Sequence, residues 1–500
     1  MVIVVGGGIT GLVATYELAR AGVQVTLCER SGRLGGKIRT TRLDGFLIES
    51  GPDSFIRQRP AAVELARDLG LEHALIEPSE PRVVHVLVGG KLHPLPEGMG
   101  LGLPTRLGPL LSTPLFGARD KLRMGLDLVR PRGPLDGDVA VGALLRRRLG
   151  NALVERLAGP LLGGVYGTPI DELSTLAVVP HLRQAERDQR SLLLAAVAAE
   201  RSRPGGRRSG SPFVSLENGV GQLVDALVGC IGRADTVGVR TACEVTSVER
   251  RGAGAVVTLA GGERIAADAV VLATSAPVAA HLLETAAPTS ARHVRSIPHG
   301  STAVVSLGYR GDQLAGEHLT HGFLVAQGEA AAIDACTVSS CKWSGRAPDG
   351  TLLLRAFAGA RRPELLGAND ADLVRVVHHD VASALGIVGN PIVAHVARWE
   401  GCMPQYTVGH LDRVAAALSS LEDSPFVLAG AAFRGAGLPD CISQGRGAGD
   451  RVLGILGVEP VQRSATWSWL VSAAVTVVPQ SSIRVDTDAP PRCRRIGVEV

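Results

Sequence analysis

The start of the chain restricts the possible folds more than any other stretch. Val2–Val5 is a short apolar run of mostly β-branched residues, which predicts a buried strand. Gly6, Gly8 and Gly11 follow as G-x-G-x-x-G and lead into a helix, after which a second apolar run ends at Glu29. In this order, Gly8 can approach a pyrophosphate and Glu29 can accept hydrogen bonds from a ribose. The stretch therefore predicts a dinucleotide site, and the alternative is an ordinary βαβ unit with a glycine-rich turn.

A second glycine loop follows at once. Residues 31–37 read S-G-R-L-G-G-K, in which Arg33 and Lys37 flank the pair Gly35 and Gly36. Paired glycines with nearby cations suit a close approach of the backbone to a phosphate or a flavin. The alternative interpretation is a mobile surface loop.

Together the two loops resemble the flavin-containing amine oxidase superfamily, whose members carry FAD. Within it, the segment G-F…E-S-G-P-D-S-F at 45–55 resembles the protoporphyrinogen and coproporphyrinogen oxidase family. Further resemblances are S-S-C-K-W at 339–343, M-P-Q-Y at 403–406 followed by G-H, and the carboxy-terminal FAD motif at 426–442. In that last motif Gln444 stands near where relatives carry alanine. The matches extend from residue 1 to about residue 457.

The resemblance implies non-covalently bound FAD and a set of residues to hold it. These are Gly6, Gly8, Gly11, Glu29, Arg33, Gly35, Gly36, Lys37, Gly51, Pro52, Val245, Thr274, Gly430, Gly437, Leu438 and Pro439. Val245 matches a residue that contacts adenine through its backbone. The helix that begins near Gly437 would direct its amino terminus at the flavin pyrimidine edge.

The resemblance also implies a cavity for a flat tetrapyrrole. Its expected substrate-binding residues are Arg82, Gly164, Tyr166, Gln405 and Tyr406. Eukaryotic protoporphyrinogen oxidases of the family place an arginine for a propionate where this chain has Val84, and Arg82 lies two residues earlier on the same face of the strand. Bacterial coproporphyrinogen oxidases share that departure, so we expect coproporphyrinogen III as the substrate.

Composition supports a multidomain enzyme without adding a catalytic group. A chain of 500 residues is too long for one compact hydrophobic core, so two or more domains are expected. Hydrophobic residues make up 45% of the chain, which is enough to form a core in each. Aromatic residues are 3% and the net charge of +4 is spread along the chain, so we expect no nucleic-acid partner. The eight cysteines form no C-x-x-C or zinc spacing, which indicates a reducing compartment and no metal. No Ser-His-Asp triad or carboxylate pair is evident, and the catalytic residues stay unassigned.

The predicted fold is α/β, a Rossmann-like FAD/NAD(P)-binding domain with a discontinuous α+β substrate domain and a helical subdomain. The predicted divisions are 1–80, 215–285 and 396–457 for the FAD-binding domain, 81–214 for the helical and cavity-wall subdomain, 286–395 for the substrate sheet, and 458–500 for a tail. The basic, low-complexity stretch at 201–211 predicts a loop or disordered excursion.

Two interpretations stay open for residues 94–134. Their short apolar pieces carry interleaved cations at Arg106, Arg119, Lys121 and Arg123. They predict either a helical subdomain that touches anionic lipid or a helical cap with a solvated face. No run of about 18 uncharged apolar residues predicts a spanning helix. We therefore expect a cytoplasmic protein, peripheral on the membrane under the first interpretation.

The function that the resemblance implies is FAD-dependent, oxygen-using oxidation of coproporphyrinogen III to coproporphyrin III in heme biosynthesis, with hydrogen peroxide formed. Molecular oxygen and the tetrapyrrole are then the partners, with a transient contact to the next heme-pathway enzyme. Protoporphyrinogen IX oxidation, another amine oxidase or desaturase of the same fold, and a non-catalytic flavin-binding protein are the alternatives.

Overall fold

A six-stranded sheet lies at the centre of the part of the chain that is predicted to bind the cofactor. The computed structural model describes residues 1–96, 99–100, 103–104, 107–131, 133, 137–201, 211–314, 320–460 and 494–495. In spatial order the strands are Phe426–Leu428, Ala269–Leu272, Val2–Val5, Val25–Cys28, Val237–Thr241 and Arg494–Arg495. The first five are parallel, and the sixth pairs antiparallel with the fifth. The carboxyl ends of the parallel strands therefore meet at one edge.

Helices bury both faces of this sheet, as a parallel sheet requires. Side chains alternate along the first strand, so Val2 and Val4 join one core while Ile3 and Val5 join another. The first core lies under Ile9–Arg20, Ala61–Asp68, Gly221–Gly232 and Leu438–Leu456. The second lies under Ala276–Leu282, Pro288–Arg295 and His410–Ser419.

A seven-stranded, mainly antiparallel sheet includes most of the region that the sequence assigns to the substrate domain. In spatial order its strands are Val393–Pro404, His299–Arg310, Thr351–Ala358, Ile333–Val338, Gly322–Val325, Val84–Val88 and Lys91–Pro94. The helix Asp370–Leu385 buries Leu373, Val377 and Val381 against one face, at helical spacing. The sheet takes in more chain than 286–395. The hairpin that contains Val84 pairs with Gly322, and Val393–Pro404 is one unbroken strand across the predicted boundary.

Most of the described residues between 107 and 201 are helical. The helices are Leu107–Ser112, Ala118–Gly125, Leu126–Leu128, Val141–Leu149, Asn151–Leu153, Val154–Gly163, Gly164–Tyr166, Thr175–Val178, Pro180–Asp188 and Leu192–Arg201. Val154–Gly163 is π-helical and contains Pro160, which cannot donate a backbone hydrogen bond. Leu144, Leu145 and Leu157 are fully buried in the core that these helices share.

Smaller elements complete the described structure. The remaining strands are Thr40–Leu43, Phe46–Glu49, Phe55–Ile56, Leu75–Ile76, Met99–Gly100, Leu103–Pro104, Phe213–Leu216, Val245–Arg251, Gly254–Leu259 and Arg264–Ala267. The remaining helices are Glu72–Ala74, Gly311–Gln313, Ser339–Lys342 and Pro363–Gly367. The predicted excursion at 201–211 falls largely outside the described residues, as do Arg106 and the tail at 461–493 and 496–500.

A buried ion pair holds the helical segment together. The Arg148 Nε–H donates to Asp127 Oδ1 at 2.5 Å, and both side chains are essentially inaccessible to solvent. Asp127 Oδ2 also accepts from the Ser191 hydroxyl at 2.6 Å and from the Leu193 N–H at 3.0 Å. The second guanidinium edge of Arg148 donates to the Pro131 carbonyl at 2.9 Å. Each charge is thus hydrogen-bonded on several sides, as burial of a charge requires.

Candidate functional site: a dinucleotide cradle facing a cavity wall

The first glycine turn has the geometry that a bound pyrophosphate needs. Gly6 has a φ of +105°, which turns the chain sharply out of Val2–Val5. A Cβ on Gly11 would run into the Gly6 carbonyl oxygen, so the helix Ile9–Arg20 begins directly against the turn. A Cβ on Gly8 would instead meet nothing within 4 Å. Open space therefore lies beside the helix amino terminus, where backbone N–H groups favour an anion.

Glu29 lies at the end of the second strand with its carboxylate held against this turn. Its Oε2 accepts from the Gly7 N–H at 2.7 Å. Its Oε1 accepts from both the N–H and the hydroxyl of Ser31, each at 2.7 Å. A carboxylate has about four acceptor sites, so capacity remains for a ribose hydroxyl. The geometry fits the role that the spacing predicts.

The second glycine loop packs directly on the first. The Gly35 N–H donates to the Gly7 carbonyl at 2.8 Å, and a Cβ on Gly36 would lie 3.0 Å from the Gly8 Cα. Arg33 donates from Nη1 to the carbonyls of Leu34 at 3.1 Å and Ile38 at 3.3 Å, so its guanidinium braces the loop from within. This packing favours the predicted role beside the first turn over the alternative of a mobile surface loop.

Lys37 joins the cradle to the substrate sheet. Its ammonium donates to the Cys402 carbonyl, near the end of the strand Val393–Pro404. Burial lowers the pKa of the Lys37 ammonium, and the nearby thiols of Cys402 and Cys441 oppose that shift. One side chain thereby links the cofactor loop with the part of the chain expected to bind substrate.

Gly51 and Pro52 lie above a buried charge cluster that centres on Asp53. Asp53 Oδ2 accepts from Lys342 Nζ and from the Trp343 indole N–H, both at 3.2 Å, and lies 3.4 Å from Arg355. Burial alone would raise the pKa of Asp53, but the Lys342 and Arg355 cations hold it well below its usual range. Arg355 also donates to the Gly51 carbonyl, which fixes the segment predicted to contact the cofactor.

The remaining predicted cofactor residues meet at the same sheet edge. Thr274 follows the strand Ala269–Leu272, and its methyl group would be 3.3 Å from a Cβ on Gly6. Val245 is buried at the start of its strand. The Cys243 N–H donates to the Glu29 carbonyl at 2.9 Å, which brings that strand to the Glu29 end of the cradle.

A long helix closes the cradle from the carboxy-terminal motif. Gly437 caps the helix Leu438–Leu456, and Pro439 lies in its first turn, where a missing N–H costs nothing. A Cβ on Gly445 would lie 2.6 Å from the Thr10 carbonyl oxygen, so this helix packs closely against the first one. Gly430 has a φ of +132° and begins the connecting loop. The second glycine loop and the carboxy-terminal motif thus both pack against the first glycine turn and its helix.

The predicted cavity wall is assembled from two distant segments. The Gln405 amide donates to the Gly167 carbonyl at 2.8 Å, and the Tyr166 and Tyr406 rings lie 6.1 Å apart at 43°. A Cβ on Gly164 would meet nothing within 4 Å. Tyr406 itself is 2% exposed, with its hydroxyl already hydrogen-bonded to the protein. Direct contact of Tyr406 with substrate stays a prediction. Its buried hydroxyl is placed instead to hold the backbone of Ala431 and Gly435.

Arg82 is tied to a neighbour on its own loop. Its guanidinium pairs with the Glu80 carboxylate at 2.8 Å, and about a third of the Arg82 side chain is exposed to solvent. His321 lies close enough to feel the charges of Arg82 and Lys342, and burial together with those cations lowers the pKa of its imidazole. The substrate contact of Arg82 stays a prediction.

Sequence reasoning missed several residues that shape the site. It selected the segments that contain Asp53 and Lys342 but assigned those side chains no role. Arg355 carried no local signal, because nothing in the strand Thr351–Ala358 distinguishes a buried arginine from an exposed one. In the part of the chain that the structure describes, no group of three or more histidine, cysteine or acidic side chains is placed to hold a metal ion.

The glycine turns at the carboxyl ends of a parallel sheet define the class: a dinucleotide-binding α/β protein. A family model described as flavin containing amine oxidoreductase matches residues 9–453. The coproporphyrinogen III oxidase of Propionibacterium freudenreichii subsp. freudenreichii is 42% identical over 482 residues, which cover 90% of each chain. The protoporphyrinogen oxidase of Bos taurus is 33% identical, covering 91% of this chain and 98% of the bovine one.

A solved structure agrees with this assignment. The crystal structure of a candidate protoporphyrinogen oxidase from Exiguobacterium sp. 255-15 superposes with a TM-score of 0.79 at 32% identity, covering 91% of this chain and 98% of that one. The chain therefore belongs to the flavin-containing amine oxidoreductase family. It is an oxidoreductase with FAD as its cofactor, as the resemblance of its two glycine loops implied.

Proposed function

We propose that this protein oxidises coproporphyrinogen III to coproporphyrin III, with molecular oxygen as the electron acceptor and hydrogen peroxide as its product. The observation that carries the proposal is the 42% identity, over 90% of both chains, to a protein named coproporphyrinogen III oxidase. Identity to a protein named protoporphyrinogen oxidase is lower, at 33%. That second substrate is the alternative that the experiment below tests.

Six electrons leave the macrocycle in three two-electron steps. When bound, FAD supplies the hydride acceptor and the reaction with oxygen, so the chain needs no nucleophile of its own. The meso carbons of a porphyrinogen are sp3, so the substrate is puckered and becomes flat only as the porphyrin product. The protein's tasks are to hold the macrocycle and to exclude water. The wall at Gly164 and Tyr166 can approach the macrocycle closely, because Gly164 has no side chain. Gln405 braces that wall through the Gly167 carbonyl.

Preference between the two porphyrinogens rests on carboxylate recognition. Coproporphyrinogen carries four propionates and protoporphyrinogen two, so a site for the former offers additional cationic contacts. Val84 stands where the resemblance places the arginine of eukaryotic protoporphyrinogen oxidases. Arg82 lies two residues earlier, in the loop that leads into the strand Val84–Val88 and not on the strand face predicted from the sequence. The partial exposure of the Arg82 guanidinium supports a role in binding a propionate.

We expect kcat/KM for coproporphyrinogen III to exceed that for protoporphyrinogen IX by about tenfold or more, because cations left unpaired by the smaller substrate are costly. The assay follows porphyrin fluorescence with both substrates under identical detergent and oxygen. Arg82→Met should reduce the preference, whereas Arg264→Met should not. Arg264 is a matched control because it also pairs with a carboxylate, that of Glu249, at 2.8 Å. It lies in the separate three-stranded sheet of Val245–Arg251, Gly254–Leu259 and Arg264–Ala267. A clear preference for protoporphyrinogen would overturn the substrate while leaving the flavin oxidase intact.

We also propose peripheral contact with a membrane through the helical segment. In the part of the chain that the structure describes, none of the helices has both the length and the apolarity needed to cross a bilayer. Leu111, Leu122 and Val129 are each about two-thirds exposed, and Leu126 and Leu128 are more than 40% exposed. These exposed apolar side chains lie close in sequence to Arg119 and Lys121. The apolar side chains would enter the lipid interface, and the two cations would attract anionic headgroups. The protein would then work in the cytoplasm at the membrane face, where a transient contact could pass its product to the next heme-pathway enzyme.

The membrane proposal predicts a specific loss on substitution. We expect Leu122→Gln to weaken cosedimentation with phosphatidylglycerol vesicles by several-fold, because a 72% exposed leucine would no longer enter the lipid. Val388→Gln is the matched control, since Val388 is 69% exposed on the substrate-sheet side. Equal binding of both variants and of the wild type, or no vesicle binding at all, would contradict the proposal.

A further inference from the structure

Tyr406 holds both ends of the loop that precedes the long carboxy-terminal helix. Its hydroxyl donates to the Ala431 carbonyl at 2.6 Å and accepts from the Gly435 N–H at 2.9 Å. The side chain is 2% exposed, so water does not compete for these two bonds. One hydroxyl therefore sets the distance between the two ends of the loop 431–435.

His410 holds the middle of the same loop. Its Nε2–H donates to the Phe433 carbonyl at 3.1 Å, because a carbonyl can only accept. The His410 ring stacks on the Tyr406 ring, with centroids 4.2 Å apart and planes at 17°. The His410 side chain is completely buried, and its Nδ1 has no hydrogen-bond partner among the described residues. Burial lowers the pKa of His410 to about 4, so the ring is neutral at physiological pH.

The loop is also attached to the helix on its other side. Gln444 Oε1 accepts from the N–H groups of Gly430 at 3.4 Å and Arg434 at 3.3 Å, and its amide donates to the Gly435 carbonyl at 3.1 Å. The loop thus moves with the helix Leu438–Leu456. Its position relative to the cavity wall depends on Tyr406 and His410, which lie in the segment that carries Gln405.

We propose that Tyr406 and His410 are positioning residues. They hold the loop 431–435, and with it the amino terminus of the helix Leu438–Leu456, at a set distance from the flavin. At that distance the helix raises the reduction potential of the flavin. Reduction adds negative charge to the flavin, and the positive end of a helix stabilises such charge only within about its first turn. Without the hydrogen bonds from Tyr406 and His410, the loop and the amino terminus of the helix Leu438–Leu456 would move away from the flavin. The proposal depends on the proposed function only in requiring bound FAD.

The experiment measures the two-electron midpoint potential of the bound flavin by anaerobic equilibration with a reference dye. Tyr406→Phe removes both hydrogen bonds to the loop but keeps the stacked ring. His410→Phe removes the bond to Phe433, and His410→Gln restores a donor of similar reach. The matched control is Tyr309→Phe, because Tyr309 is also a fully buried tyrosine, hydrogen-bonded to His378 at 2.9 Å, but in the substrate sheet.

We expect Tyr406→Phe and His410→Phe each to lower the midpoint potential by about 30 mV, which is a tenfold decrease in the reduced-to-oxidised ratio for a two-electron couple. His410→Gln should recover at least half of that shift, and Tyr309→Phe should match the wild type. If Tyr406→Phe loses FAD, the two His410 variants decide the question. Potentials equal to that of the wild type in the variants that retain FAD would overturn the proposal.

The two proposals fail in distinguishable ways. A wild-type protein that binds FAD but does not oxidise porphyrinogens would refute the proposed function, and the potentials could still be measured. Normal porphyrinogen oxidation with unchanged potentials in the Tyr406 and His410 variants would refute only the positioning role.

Discussion

Asp127→Ala is expected to lower the free energy of unfolding by about 3–5 kcal/mol. The reason is the guanidinium left behind. Arg148 is 1% exposed, and without Asp127 its charge would remain buried with only carbonyl oxygens as partners. The Ser191 hydroxyl and the Leu193 N–H would lose their acceptor as well. Urea unfolding at saturating FAD, which holds ligand linkage constant, measures the change.

The matched control for this substitution is Glu249→Ala. Glu249 pairs with Arg264 at 2.8 Å, but both side chains are about half exposed, so we expect a loss below about 1 kcal/mol. The comparison separates burial from the mere presence of an ion pair. Equal losses in the two variants would contradict the view that the Asp127–Arg148 pair stabilises the helical segment.

Glu29→Ala is expected to weaken FAD binding by about 10- to 150-fold, which corresponds to a loss of about 1.5–3 kcal/mol for a charge-assisted hydrogen bond. The carboxylate has two tasks in this site. It keeps the Gly7 N–H in place at 2.7 Å, and it offers its remaining acceptor capacity to the ribose. Titration of the apoprotein with FAD, followed by flavin fluorescence, gives the dissociation constant.

Glu249→Ala again serves as the control, because it removes the same charge from an exposed position four residues beyond Val245 on the strand Val245–Arg251. Its dissociation constant for FAD should equal that of the wild type, which excludes a general electrostatic effect. Full FAD occupancy of dilute Glu29→Ala protein would contradict the assignment of Glu29 to the ribose.

The sequence was most informative where function requires a particular backbone. Gly6, Gly8 and Gly11 could be assigned separate tasks because only glycine tolerates a φ of +105° or a helix that begins against a carbonyl oxygen. Such requirements depend on close neighbours in the chain, and the spacing to Glu29 is local too. The glycine turn could therefore be predicted from local spacing, and the family comparison confirms FAD as the cofactor, while the residues that contact it stay predictions.

The sequence was least informative where a side chain's partner is distant. The run Arg146–Arg148 looks like a solvated helix face, yet only its last member is buried, against Asp127. Nothing in the sequence around Tyr406 indicates that its hydroxyl bridges Ala431 and Gly435, and its selection as a substrate contact stays a prediction. The strand Val84–Val88 is a further example. It pairs with the strand Gly322–Val325, more than two hundred residues away, and local periodicity cannot reveal such a pairing.

By itself, then, the sequence determined the α/β class, the order of the elements around the cradle and the dinucleotide site, because periodicity and glycine spacing act within about thirty residues. Tertiary structure decided which charges are buried, which strands share the substrate sheet, and that Tyr406 and His410 support the loop before the last helix. Those properties depend on contacts between residues tens to hundreds of positions apart. The same tyrosine or arginine is compatible with either environment until the chain has folded.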